Sequence, residues 1–311
     1  MFDLLGGWPL PERRANAVKR DWESLPAATQ SLTLAARQDG CIVEHLLIEN
    51  SRCTSLVDIE YLPAIMTLPV SDGPHPVVIY CHAHGGRYDI GKQELLAGRS
   101  SLPCGDYGRT LAHNGVAALC IDLPCFGERA FDSENALAKR LLWHGNTLFG
   151  VMLRELANCI DYLEQRSDVD SSRLGSMGLS MGSTLAWWLA ALDDRVKVVA
   201  ELCCLADMHS LVSTGGHDRH GLYMMIPQLL QHARTSDINA LIAPRPHFSA
   251  VGELDMLTPM AAFERVDESM KKTYARHGQP ENWQTLVSLG TGHEETEQMR
   301  SALLAFLAQK L

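Results

Sequence analysis

The spacing of apolar residues changes several times along the chain, and those changes divide it into elements. Two alternating runs, CIVEHLLIE at 41–49 and SLVDIEYLPAIMTLP at 55–69, interleave apolar and polar residues. That period predicts an antiparallel hairpin at a sheet edge, followed by a turn cluster over 69–76. The next runs are short and continuously apolar: VVIYC at 77–81, VAALCID at 116–122, RLGSMG at 173–178, VKVVAELCC ending at Cys204, HFSAVG at 247–252 and WQTLVSL at 283–289. Strands covered on both faces lose the alternation, so these read as the buried strands of a parallel sheet. Helical spacing separates them. Residues 106–114 read as a helix stopped by Gly115, and 134–166 as a long helical stretch broken near Gly145-Asn146, with Val151, Leu153, Leu156, Ile160 and Leu163 along one face. The alternation of strand and helix predicts an α/β fold with a mostly parallel central sheet of about eight strands and helices on both faces. Residues 1–40 read as a helical extension, 41–311 as the main domain, and the irregular His-rich stretch 205–241 as a lid or rim segment.

The stretch 173–192 is the most specific. A buried strand runs into Gly178-Leu179-Ser180-Met181-Gly182 and emerges as an Ala/Leu/Trp helix. A serine at the apex of such a strand-turn-helix is held clear of the sheet, at the N-terminus of a helix that favours developing negative charge, and small residues on either side let strand and helix close up. Ser180 is therefore a candidate nucleophile rather than a plain helix cap. A serine hydroxyl needs a base and an orienting carboxylate, and in this layout they follow in the order serine, acid, histidine. Asp255, just past the strand 247–252 and ahead of Pro259, is the candidate acid, with Glu253 and Asp207 as alternatives. Asp122 comes before the serine and is assigned to loop structure. His293, on the glycine turn Gly290-Thr291-Gly292-His293, is the candidate base. The turn His82-Ala83-His84-Gly85-Gly86 follows a strand where a second oxyanion donor belongs; the backbone N–H groups of Met181 and His84 are the candidates, with Ala83 and Gly85 as neighbours. His82 and His84 also suggest a metal pair, but no third ligand accompanies them.

Charge and cysteine content narrow the partners. With 27 Lys and Arg against 37 Asp and Glu, the net charge of −10 disfavours nucleic acid and anionic membrane surfaces. No apolar run reaches spanning length and no secretory leader pattern opens the chain, so a cytoplasmic location is expected. The nine cysteines are odd in number and scattered without a CxxC pair, which reads as reduced thiols packed as small hydrophobes. Oligomeric state is not legible.

Taken together, SSRLGSMGLSMGS at 171–183, CHAHGGRYDIGK at 81–92, IDLPCFGER at 121–129, VGELDMLTP at 251–259 and GTGH at 290–293 make residues 40–311 resemble the α/β-hydrolase superfamily, and within it the dienelactone hydrolase and acetyl xylan esterase type. The resemblance implies a serine esterase acting on a small-molecule ester through an acyl-enzyme, with no metal and no organic cofactor. Two departures stand out. Dienelactone hydrolases proper carry a cysteine nucleophile where this chain has Ser180, and many relatives have a double glycine where it has Gly182-Ser183. A peptidase of the prolyl-oligopeptidase type and a non-catalytic binding protein on a hydrolase fold are the alternative readings.

Overall fold

The computed structural model describes residues 17–19, 40–51 and 61–311. Among them, nine strands form one sheet in the order β1-β2-β3-β5-β4-β6-β7-β8-β9. The first three, β1 (Ala17–Lys19), β2 (Cys41–Glu49) and β3 (Tyr61–Pro69), are antiparallel to their neighbours. The other six, β4 (His75–Cys81), β5 (Ala117–Ile121), β6 (Val169–Leu179), β7 (Val198–Leu202), β8 (His247–Gly252) and β9 (Trp283–Ser288), run parallel to one another. This is the α/β-hydrolase arrangement.

The hairpin expected at 41–69 forms, but β2 is not the sheet edge, because β1 pairs with Leu46–Ile48. A three-residue strand lies where the sequence reading placed a helical arm; the rest of that arm, and residues 52–60, fall outside the described residues. Pro69, read as the start of a turn, still pairs with Cys41 at the end of β3.

Alternation along the parallel strands divides the core in two. On β4, Val77, Ile79 and Cys81 face one apolar layer while Val78 and Tyr80 face the other. The first layer is closed by α3 (Glu134–Trp143), α4 (Leu148–Leu163), α5 (Met181–Leu192) and α9 (Met260–Arg276). The second is closed by α1 (Glu94–Ala97), α2 (Tyr107–His113) and α10 (Glu297–Lys310). Side-chain caps set the helix starts: Asp106 accepts from the N–H of Arg109, Thr147 from Gly150 and Thr296 from Met299. Between β7 and β8 lie three short helices, α6 (Met208–Thr214), α7 (Leu229–His232) and α8 (Thr235–Asn239), with 3₁₀ turns between them.

One helix differs from its sequence reading. The pattern over 151–163 predicts one apolar face, yet every residue of α4 is buried. Its polar residues meet partners from distant loops: Glu155 forms a two-pronged ion pair with Arg129 at 2.6 and 2.9 Å, and Asn158 donates to the Glu49 carbonyl at 2.8 Å. Periodicity separates polar from apolar; it does not register a polar residue that is matched inside.

Candidate active site

The turn from β6 into α5 sets Ser180 at φ 59° and ψ −118°, a conformation a non-glycine residue adopts only when its surroundings enforce it. The surroundings are tight. A Cβ on Gly182 would stand 1.9 Å from the Cys81 carbonyl oxygen, and one on Gly178 would stand 2.4 Å from the same atom. Glycine at both places lets β6, β4 and α5 touch backbone to backbone, and the Ser180 N–H donates to the Leu202 carbonyl at 2.9 Å. Ser183 is fully buried and its hydroxyl donates to the buried Glu201 carboxylate on β7.

Asp255 lies three residues beyond β8, its side chain fully buried. Its Oδ1 accepts from the N–H groups of Leu257 and Thr258, at 2.8 and 3.2 Å. Its Oδ2 stands 2.8 Å from His293 Nδ1, and His293 Nε2 stands 2.8 Å from Ser180 Oγ. With Nδ1–H donating to the carboxylate, Nε2 carries the lone pair that accepts from the serine hydroxyl. Three side chains separated by 113 residues at most are thus joined in one line. Glu253 and Asp207 are elsewhere employed: Glu253 accepts from the Gly290 N–H, and Asp207 caps α6 through Ser210.

Burial pushes the Asp255 carboxyl up, but the bond to His293, its charge and the two amide bonds more than offset this and leave it below the ordinary carboxylate value of 3.8. A carboxyl depressed in the folded state stabilises above its unfolded pKa and loses that contribution as pH falls through the folded value. The gap in urea midpoint between the wild type and Asp255→Asn is therefore expected to narrow from pH 5 to pH 3. A gap that is constant or widens contradicts the assignment.

The turn after β4 is built from buried polar groups. His82 accepts from the Leu123 N–H through Nε2 at 3.3 Å and donates from Nδ1 to the Ala83 carbonyl at 3.1 Å. Burial lowers its pKa to about 3, so it stays neutral. His84 is turned elsewhere: Nδ1 accepts from the Gly86 N–H at 3.0 Å, and Nε2 lies 2.5 Å from Glu134. Both imidazoles serve the loop, and they do not converge on one ion. Glu94, fully buried, accepts the Ala83 N–H at 3.1 Å and the Tyr80 hydroxyl at 2.8 Å, while the Arg99 guanidinium lies 2.5 Å from it and donates to the Ala83 carbonyl at 3.0 Å. This commits the Ala83 amide. The amides of His84 and Met181 have no protein acceptor among the described residues.

Glu94 and Glu134 are the functional supports that sequence reasoning missed. Both lie in helical stretches where a glutamate is ordinary, and no local pattern marks them. Cys203 Sγ, Asp255 and His293 come within 4.8 Å of one another, a set of metal-ligand type. Both His293 nitrogens are already engaged, and burial, then the Asp255 charge, push the Cys203 thiol well up and keep it protonated. That set does not fit a metal. Cys81, Cys104, Cys120, Cys125, Cys159, Cys203 and Cys204 form no disulfide, and among the described residues no helix is long and apolar enough to cross a membrane.

Residues 63–278 match the family model described as the dienelactone hydrolase family. The whole chain aligns at 37% identity with 97% of a Bacillus subtilis (strain 168) protein called "Putative hydrolase YtaP". Among solved structures, a glucuronoyl esterase from Solibacter usitatus superposes over 99% of this chain and 90% of its own, with a TM-score of 0.67 and 16% identity. Acetyl xylan esterase 1 from Thermoanaerobacterium sp. JW/SL YS485 gives 0.59 at 16% identity, over 96% of this chain and 88% of that one. Methylesterase BT1017 gives 0.64 at 22% identity, over 87% of this chain, which spans 55% of that longer protein. Likeness at these identities establishes the shared fold.

Proposed function

The chain belongs to the dienelactone hydrolase family and is a carboxylic ester hydrolase, and from that premise we propose that it cleaves small-molecule esters through an acyl-enzyme on Ser180. The observation that carries this reading is the line Ser180 Oγ, His293 Nε2, His293 Nδ1, Asp255 Oδ2, with both contacts at 2.8 Å. His293 takes the hydroxyl proton as Oγ attacks the ester carbonyl, and Asp255 stabilises the imidazolium that forms. The amides of Met181 and His84 donate to the oxyanion, the first from the N-terminus of α5, the second from a turn that Glu94 and Glu134 hold in place. The imidazolium then protonates the departing alcohol. Water, activated by the same nitrogen, hydrolyses the acyl-enzyme and restores the serine.

A fluorophosphonate probe tests the reading directly, because it reacts only with an activated serine. Mass spectrometry is expected to find one adduct, on Ser180, and none in His293→Ala. Absence of labelling in a folded wild type rejects the acyl-enzyme on Ser180.

A further inference from the structure

The segment between β7 and β8 forms a partly open cavity of about 110 Å³. Its walls come entirely from residues 208–230, chiefly Met208, Leu211, Met224, Met225, Ile226 and Leu229. No carboxylate, amide or hydroxyl side chain faces it; the polar members are His217 and His220. Burial lowers the His220 pKa, so this imidazole is neutral and adds no charge.

Contacts on two sides tie this segment to loops of the candidate active site. On one side His220 Nε2 donates to the Leu257 carbonyl at 3.1 Å, and Arg219 donates to the Met256 carbonyl at 3.3 Å, so the wall is tied to the turn that carries Asp255. On the other side the Tyr223 ring stacks on the His84 ring with centroids 5.6 Å apart, and the Tyr223 N–H donates to Glu134, the carboxylate that also holds His84. The segment thus bridges the loops that flank Ser180, and the cavity belongs to the bridge.

A wall of this kind selects by shape and water exclusion. A sugar presents hydroxyls, which would lose hydration here and gain no partners in return. Three thioether side chains instead give a soft surface that moulds to an alkyl chain. An apolar cavity of roughly 150 Å³ takes up benzene, so about 110 Å³ suits a chain of roughly four carbons. We propose that this cavity receives a short aliphatic chain of the ester, and that the enzyme prefers such esters to acetyl esters and to esters of sugars. The inference rests on ester cleavage at Ser180.

The test is kcat/KM over two series, p-nitrophenyl acetate against butyrate, and ethyl acetate against butyl acetate, with fluorophosphonate labelling of Ser180 run in parallel. Two buried methylenes predict a rise of about tenfold in one series, and which series rises tells whether the cavity holds the acyl or the alcohol chain. Met225→Asp, or Val212→Asp at the exposed rim, is expected to bring that ratio back toward one. Normal labelling with no rise in either series, or a ratio that both variants leave intact, overturns the inference and spares the active-site assignment. No labelling and no hydrolysis overturns the assignment, and the inference falls with it.

Discussion

Ser180→Ala is expected to lower kcat for p-nitrophenyl acetate by about six decades, because a nucleophile, base and acid that act as one unit lose nearly everything when any central member goes. His293→Ala is expected to fall by a similar factor, and the double variant by hardly more. Asp255→Asn is expected to lose about four decades, since the amide leaves the ring in place but holds the wrong tautomer. The backbone should tolerate alanine at 180 better than most side chains at φ 59°, so near-wild-type circular dichroism is expected alongside the lost rate. A Ser180→Ala protein that hydrolyses the ester within tenfold of wild type contradicts the proposed chemistry.

Asp122→Ala is expected to destabilise the fold by about 3–5 kcal/mol, the range for removing one partner from a buried ion pair. Asp122 is fully buried at the end of β5, where it accepts from the Lys92 N–H at 2.7 Å, from Lys92 Nζ at 2.5 Å and from the Glu128 N–H at 3.0 Å. Without it the Lys92 ammonium stays buried, with the half-exposed Glu128 carboxylate 2.7 Å away as its remaining anionic partner among the described residues. The loops crowd the carboxylate on purpose-built small residues: a Cβ on Gly91 or Gly127 would come within 2.1 Å of its Oδ1. Urea unfolding of the purified variants measures the effect. Asp122→Leu combined with Lys92→Met, which removes both charges, is expected to recover a substantial part of the loss. A single variant within 0.5 kcal/mol of wild type would show that the pair is not what anchors these loops.

The features that were legible in the sequence share a cause. Gly178 and Gly182 approach each other within one five-residue turn and both abut the Cys81 carbonyl on β4; the spacing of the two glycines around Ser180 is the part of this that leaves a local signature. Asp255 and His293 stand on turns that follow parallel strands, and their order after the serine follows from the direction of those strands. The strands themselves were legible because burial on both faces makes continuous apolar runs. Asp122 was separated from the acid role by chain order alone, and it does hold a loop.

What stayed hidden is pairing across long intervals. Glu94 meets Ala83 and Arg99, Glu134 meets His84 and Tyr223, and Glu155 meets Arg129, yet each is an unremarked glutamate within or next to a helix. A carboxylate looks the same in sequence whether it faces water or a buried guanidinium, because its partner is chosen by where the chain returns in space. The same limit applies to 205–241: its irregularity is readable, but its Met and Leu side chains become a cavity wall only when 208–230 folds back on itself. Glycine spacing, hydrophobic period and chain order determined the turn at 178–182, the sheet and the order of the three candidate residues; only the tertiary structure decided which buried charges are matched and what cavity 208–230 forms, because both depend on where distant stretches of chain meet.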